Sequence, residues 1–150
     1  MGHGRDEDLL RLDRQVCFPL YAATNLLQRL YRPLLAPLGL TYSQYLVMLV
    51  LWERGKVSVG DLCQCLHLDV GTLSPLLKRM EDSGLITRKR DTADERRVLV
   101  APTQHGRSLH DRALSVPIAL AEQTGLTPGE VEDLRVKTRA LLAKLVAVAA

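Results

Sequence analysis

The chain has 150 residues, with Lys and Arg numbering 20 against 17 Asp and Glu, a formal net charge of +3 and a pI near 8.9. That length fits one domain with a real core, and 47% hydrophobic against 25% charged residues excludes a disordered chain. No apolar run approaches the roughly 20 residues that span a bilayer. The first eight residues are polar and acidic rather than a leader, and the three cysteines (17, 63 and 65) are expected as reduced thiols in a cytoplasmic protein.

Leu9, Leu12, Val16, Leu20, Ala23, Leu27, Leu30 and Leu34 recur at steps of three and four, which predicts a first helix with one apolar stripe. Pro19 is tolerated only in a first turn, so Cys17 is expected at or near the start of that helix. Pro33 and Pro37 are expected to break it, leaving at most a short helix before Gly39. Thr41 and Gln44 form a capping box ahead of a second helix carrying Tyr45, Leu46, Leu49 and Trp52, stopped by Gly55. Ser58 and Asp61 form another box, opening a short helix that ends near His67. Asp69 caps the next, which runs through Leu73, Leu76, Leu77 and Met80 to Ser83-Gly84. Pro75 is awkward there: the helix either starts later or bends.

Leu85 to Arg90 and Arg97 to Pro102 are β-prone runs flanking the polar turn 91–96, a hairpin with basic tip and stems. Residues 103 to about 124 are helical again, bent by Pro117. Thr127-Pro-Gly-Glu130 then caps a last helix carrying Val131, Leu134, Leu141, Leu142 and Leu145, with an alanine-rich end expected to fray from Ala147.

Two regions differ in chemistry. All six aromatics lie between Phe18 and Trp52, with Cys17 at their edge, whereas Lys78, Arg79, Arg88, Lys89, Arg90, Arg96 and Arg97 concentrate cations further on. Two short helices followed at once by a basic hairpin is the winged helix-turn-helix arrangement, whose second helix enters a DNA major groove while the wing reaches backbone or minor groove. On that second helix Thr72 and Ser74 are candidates for base edges or phosphates, and Lys78 and Arg79 for phosphates. In the hairpin Arg88, Arg90, Arg96 and Arg97 are the candidate contacts, with Asp94 as the ion-pair partner that orients an arginine. The bland alternative is a solvated basic hairpin.

Cys17 at a helix start sits where the dipole favours an anion, and hence a reactive thiolate; the bland alternative is a packed structural cysteine. Tyr21, Tyr31 and Tyr42 are phenols able to donate hydrogen bonds to a thiolate or an oxidised sulfur. Cys63, Cys65 and His67 form C-x-C-x-H, but i and i+2 on a helix point to different sides, so no metal site is expected and one thiol should be core, the other surface. No cofactor is expected. Catalytic triads, P-loops and metal-hydrolase motifs are absent from the sequence.

The stretch Leu68-Asp-Val-Gly-Thr-Leu-Ser-Pro-Leu-Leu-Lys-Arg-Met-Glu81, with Gly84-Leu-Ile-Thr-Arg-Lys-Arg90 and Asp94-Glu-Arg-Arg97-Val-Leu-Val, resembles the MarR family of bacterial transcription regulators, including its D-x-R wing signature. The resemblance implies a mainly α chain with a small β-hairpin wing, one MarR-type domain over 1–150. Its DNA-binding lobe would span about 41–103, with dimerisation helices at about 9–38 and 104–150. It also implies a homodimer on a pseudo-palindromic double-stranded operator.

Within the family, Cys17-Phe-Pro-Leu-Tyr21-Ala, Tyr-Arg-Pro-Leu-Leu at 31–35, Leu-Thr-Tyr at 40–42, Gln44-Tyr45 and Leu51-Trp52-Glu53 are similar to the organic-hydroperoxide-resistance (OhrR-type) regulators. That likeness implies Cys17 as redox sensor, Tyr31 and Tyr42 as its hydrogen-bonding pair, Tyr21 as a residue responding to oxidation, and an organic hydroperoxide as inducer. A two-cysteine branch carries a resolving cysteine in the penultimate helix; residues 104–150 hold none, with Glu122 near its place. A one-cysteine type is therefore expected, whose oxidised Cys17 is trapped by a low-molecular-weight thiol or over-oxidised. The chain is read as a repressor rather than an enzyme. The competing readings are a regulator relieved by a non-covalent ligand and a thiol peroxidase, which would leave the DNA-binding apparatus unexplained.

Overall fold

The computed structural model describes residues 8–149; the polar, acidic segment 1–7 and Ala150 lie outside the described residues. The chain forms two compact units, one up to Leu114 and the other from Ser115. The first contains α1 (Cys17–Leu35), a 3-10 turn (Ala36–Leu38), α2 (Tyr42–Arg54), β1 (Val57–Ser58), α3 (Val59–Leu66), α4 (Val70–Asp82), β2 (Ile86–Arg90), β3 (Val98–Pro102) and α5 (Gln104–Ala113). The second contains α6 (Ser115–Thr124) and α7 (Pro128–Ala149). The fold is mainly helical with a small antiparallel sheet.

Local chemistry sets most of the boundaries. The Thr41–Gln44 and Ser58–Asp61 capping boxes are both complete, each reciprocally satisfying two amide donors that have no intrahelical partner. Thr127 and Glu130 do the same at the start of α7. Helix α4 ends in a Schellman motif: Leu85 N–H reaches Met80 O at 2.9 Å and Gly84 N–H reaches Glu81 O at 3.0 Å, with Gly84 at φ +75°.

Strand β3 is central, in the order β1-β3-β2, pairing Val57 with Val100 and Ile86 with Pro102. The two-residue β1 is too short to leave a period in the sequence. One core joins the sheet to its helices: Leu35, Val47, Met48, Leu51, Leu62, Leu73, Leu77, Met80, Ile86, Val100 and Leu109 are all essentially inaccessible.

Three expectations are corrected. Helix α1 passes through Pro33 to Leu35, and only then tightens into the short 3-10 turn. Pro33 and Arg29, whose carbonyl loses its partner, are both exposed, so water can serve the freed group. Residues 104–124 form two helices parted at Leu114 rather than one bent helix, which places Pro117 in the first turn of α6, where no amide is required. The alanine-rich end stays helical to Ala149. The first apolar stripe lies largely exposed on the single chain: Leu9, Leu12 and Val16 precede α1 and are 60–70% exposed, and Leu20 and Leu27 on α1, with Leu26 beside them, are exposed too.

Among the described residues no single helix is long and apolar enough to cross a membrane.

Candidate functional site

Helix α4 begins at Val70 and contains Pro75 on its exposed side, which settles the alternative of a later start. Asp69 Oδ1 accepts the Thr72 N–H at 2.7 Å, and this bond holds the Asp69 carboxyl below its usual range. With Leu73, Leu76, Leu77 and Met80 buried, Val70, Gly71, Thr72, Pro75, Lys78 and Arg79 face outward and Ser74 is half-buried. Lys78 pairs with Asp82 at 3.0 Å on the surface, an ion pair of little energetic weight in water.

The turn at 91–97 is bound within itself. Asp91 N–H reaches Arg97 O and Arg97 N–H reaches Asp94 O, both at 2.9 Å. Arg90 donates to Glu95 O at 2.9 Å, and Arg97 lies 3.5 Å from Asp91 and 3.8 Å from Asp61. Asp94 takes hold of Arg96 three times: Oδ1 accepts from Nε at 3.0 Å and from the backbone N–H at 3.2 Å, and Oδ2 accepts from Nη2 at 3.2 Å. The same bonds keep the Asp94 carboxyl below its usual range. Arg96 is nonetheless 91% exposed, so its charge is aimed outward by a fixed base. A cleft of about 480 Å³ separates Val70 and Ser74 of α4 from Arg88, Arg96 and Arg97.

Arg88 is placed differently from the other hairpin cations. Its side chain is 26% exposed and turned to Glu81 of α4, at 3.1 Å. Sequence reasoning did not pair these residues, because seven positions across a helix end leave no periodic signal.

Cys17 is the first residue of α1 and exposed, with Pro19 inside the first turn where its missing amide is harmless. Tyr21, one turn on, is 70% exposed. Tyr31 and Tyr42 meet at a ring separation of 4.8 Å, with Tyr45 5.8 Å from Tyr31 and 6.5 Å from Tyr42. Tyr45 was missed as a member of this cluster, although its spacing of three from Tyr42 on α2 puts both on one face. Burial, then the neighbouring Tyr42 and Tyr45, pushes the Tyr31 phenol up to about 12. Burial raises Tyr42 and Tyr45 as well. All three are therefore neutral hydrogen-bond donors at physiological pH.

Cys17 does not join them within the chain. It and Tyr31 lie on one helix, 31 − 17 = 14 residues apart, roughly 21 Å along the axis.

Cys63 and Cys65 are both half-exposed, correcting the expected split into core and surface. At about 100° per residue they flank the buried Leu62 on either side of α3. Among the described residues no group of three or more His, Cys, Asp or Glu could hold a metal ion.

Residues 29–113 match the model of a family described as transcriptional regulator SarA/Rot. The organic hydroperoxide resistance transcriptional regulator of Bacillus subtilis is 44% identical over 131 residues, 85% of each chain. Among solved structures, reduced AbfR bound to DNA superposes with a TM-score of 0.81 at 29% identity, over 97% of this chain and 99% of that one. The disulfide form of AbfR, a Staphylococcus epidermidis protein, gives 0.60 at 31%, over 93% and 98%.

Proposed function

The chain belongs to the MarR family of winged-helix transcription regulators, in the organic-hydroperoxide-resistance type, and from that premise we propose that it is a cytoplasmic operator-binding repressor that senses organic hydroperoxides by oxidation of Cys17. The observation that carries this reading is the exposed Cys17 at the start of α1, with two neutral, half-buried phenols packed together where the far end of that helix meets α2.

Because roughly 21 Å of helix separates Cys17 from Tyr31, their hydrogen bond has to form between two copies, with each cysteine meeting the tyrosine pair of its partner. The uncovered apolar residues fit that assembly: Val16 and Leu26 at the first helix, and Leu134 and Leu145 on α7, are 49–70% exposed. Regions of about 9–38 and 104–150 serve as the dimerisation helices and 41–103 as the DNA-binding lobe. Two lobes at fixed separation read a pseudo-palindromic double-stranded operator. Thr72 and Ser74 meet bases or phosphates, Lys78 and Arg79 meet phosphates, and Arg90, Arg96 and Arg97 supply the wing charge, with Asp94 orienting Arg96.

The chemistry is a two-electron oxidation. The Cys17 thiolate attacks the terminal peroxide oxygen, the S–O bond forms as the O–O bond breaks, and the departing alkoxide takes a proton to leave as an alcohol. The sulfenic acid is then condensed by a low-molecular-weight thiol, giving a mixed disulfide and water, since residues 104–150 contain no resolving cysteine. Phe18 and Leu20 beside Cys17 favour an apolar peroxide. Losing the thiolate–tyrosine bonds changes the separation of the two recognition helices, and the operator is released. This is a signal spent once per site rather than catalytic turnover.

One observation favours relief by a non-covalent ligand instead: a cavity of about 460 Å³ lined by Trp52, Lys56, Pro102, Arg107 and His110, of a size that suits a small molecule. Mixed dimers decide the arrangement. A dimer of one Cys17→Ser chain with one chain carrying Tyr31→Phe and Tyr42→Phe has one intact site if the site spans copies, pairing the remaining Cys17 with the remaining tyrosines. Its one remaining Cys17 should react at the wild-type rate. Reaction at the slow rate of a Tyr31→Phe, Tyr42→Phe homodimer would contradict the proposal.

A further inference from the structure

We propose that Glu81 and Arg88 form a positioning pair that sets the wing's angle against the recognition helix α4, so that both engage DNA together; this rests on the DNA-binding reading above. Glu81 spends its two carboxylate oxygens on one residue. Oε2 accepts the backbone N–H of Arg88 at 3.0 Å and Oε1 accepts from Nη2 at 3.1 Å. The first bond ties the strand itself, not merely a flexible side chain, to the helix. Arg88 lies mid-strand in β2 opposite Val100 of β3, so a hairpin held there carries Arg90 and Arg96 as a rigid arm.

The contrast with Arg96 assigns the roles. Arg96 is 91% exposed, whereas the Arg88 side chain is 26% exposed and already occupied. Arg88 Nε is buried and has no acceptor among the described residues. Removing Glu81 would leave two further, part-buried donors of Arg88 unpaired and the strand untethered. The Glu81 carboxyl, drawn below its usual range first by the Arg88 side chain, stays ionised at neutral pH as the pair requires.

A double-mutant cycle tests this on full-length protein with a fluorescent duplex that the wild type selects from a random 30-base-pair pool. Glu81→Gln removes a negative charge near a polyanion, so simple electrostatics expects tighter binding; positioning expects about tenfold weaker binding. Arg96→Ala weakens binding alone, but in the Glu81→Gln background it should add little, because a misplaced wing no longer brings Arg96 to the DNA. Arg88→Met should weaken binding while leaving the salt slope unchanged; if Arg88 instead neutralised a phosphate, the slope would fall by about 0.9. Far-UV circular dichroism at the titration temperature keeps the comparison among folded proteins. If the wild type selects no duplex, the DNA-binding reading falls and takes this inference with it. If the wild type binds and Glu81→Gln binds equally well or tighter, or if the two losses multiply independently, only the positioning role is overturned.

Discussion

Tyr31 and Tyr42 stack at 4.8 Å with their planes tilted by 41°, joining the far end of α1 to the start of α2. Both phenols are raised by burial, so neither ionises to repel a thiolate, and each has a proton to donate. A hydrogen bond to a charged group contributes about 1.5–3 kcal/mol. Tyr42→Phe, which removes only the hydroxyl, should therefore slow Cys17 oxidation by roughly 10- to 100-fold while reduced protein still binds its operator. Intact mass against time after cumene hydroperoxide measures this. An unchanged rate would reduce the pair to packing.

The grip of Asp94 on Arg96 leads to a graded result in the wing. Arg96→Ala should weaken operator binding and lower the salt slope by about 0.9 for each phosphate that Arg96 neutralises. Asp94→Asn should weaken binding less and leave the slope, since the charge remains but its aim is loosened. Fluorescence anisotropy at several salt concentrations separates the two.

At Gly106, α5 passes close to the backbone of Leu85, just ahead of β2. A Cβ there would lie 2.2 Å from Leu85 O and 3.2 Å from Met48 Cε, against backbone that Thr103 already fixes through bonds to Gly84 O and Leu85 O. Gly106→Ala should cost about 1–3 kcal/mol of stability, as overpacking does elsewhere. Urea unfolding followed by Trp52 fluorescence reads it directly, because the indole Nε1–H donates to Gly106 O at 2.9 Å.

Carboxyls at Asp61, Asp69, Glu81, Asp94 and Glu130 all sit below their ordinary values because hydrogen bonds favour the charged form. A group depressed in the folded state stabilises fully above its unfolded value and loses that contribution as pH falls through the folded one. Tm should thus be flat near neutrality and fall below about pH 4. Asp69→Asn, which still caps α4 but does not titrate, should match wild type at pH 7 and lose less on acidification.

What the sequence revealed followed how local the physics was. The capping boxes at Thr41, Ser58 and Thr127 and the stop at Gly84 are settled within four residues, so each was readable. Pro33 was misread because its effect depends on whether the Arg29 carbonyl meets water, which burial decides. Pro117 likewise depended on where a helix begins. In the site, Cys17 at a helix start and Asp94 orienting Arg96 were legible from short spacings. The Glu81–Arg88 bond and the place of Tyr45 beside Tyr31 were not, since both depend on packing between elements. The stripe from Leu9 to Leu27 was legible as apolar, yet nothing in one chain's pattern says what covers it.

The most direct test is operator affinity of wild type and Cys17→Ser, each with and without stoichiometric cumene hydroperoxide, with intact mass taken from every sample. The account predicts that peroxide abolishes wild-type binding with oxidation confined to Cys17, while Cys17→Ser stays bound. Retention of DNA by both proteins, or release of both alike, would contradict it.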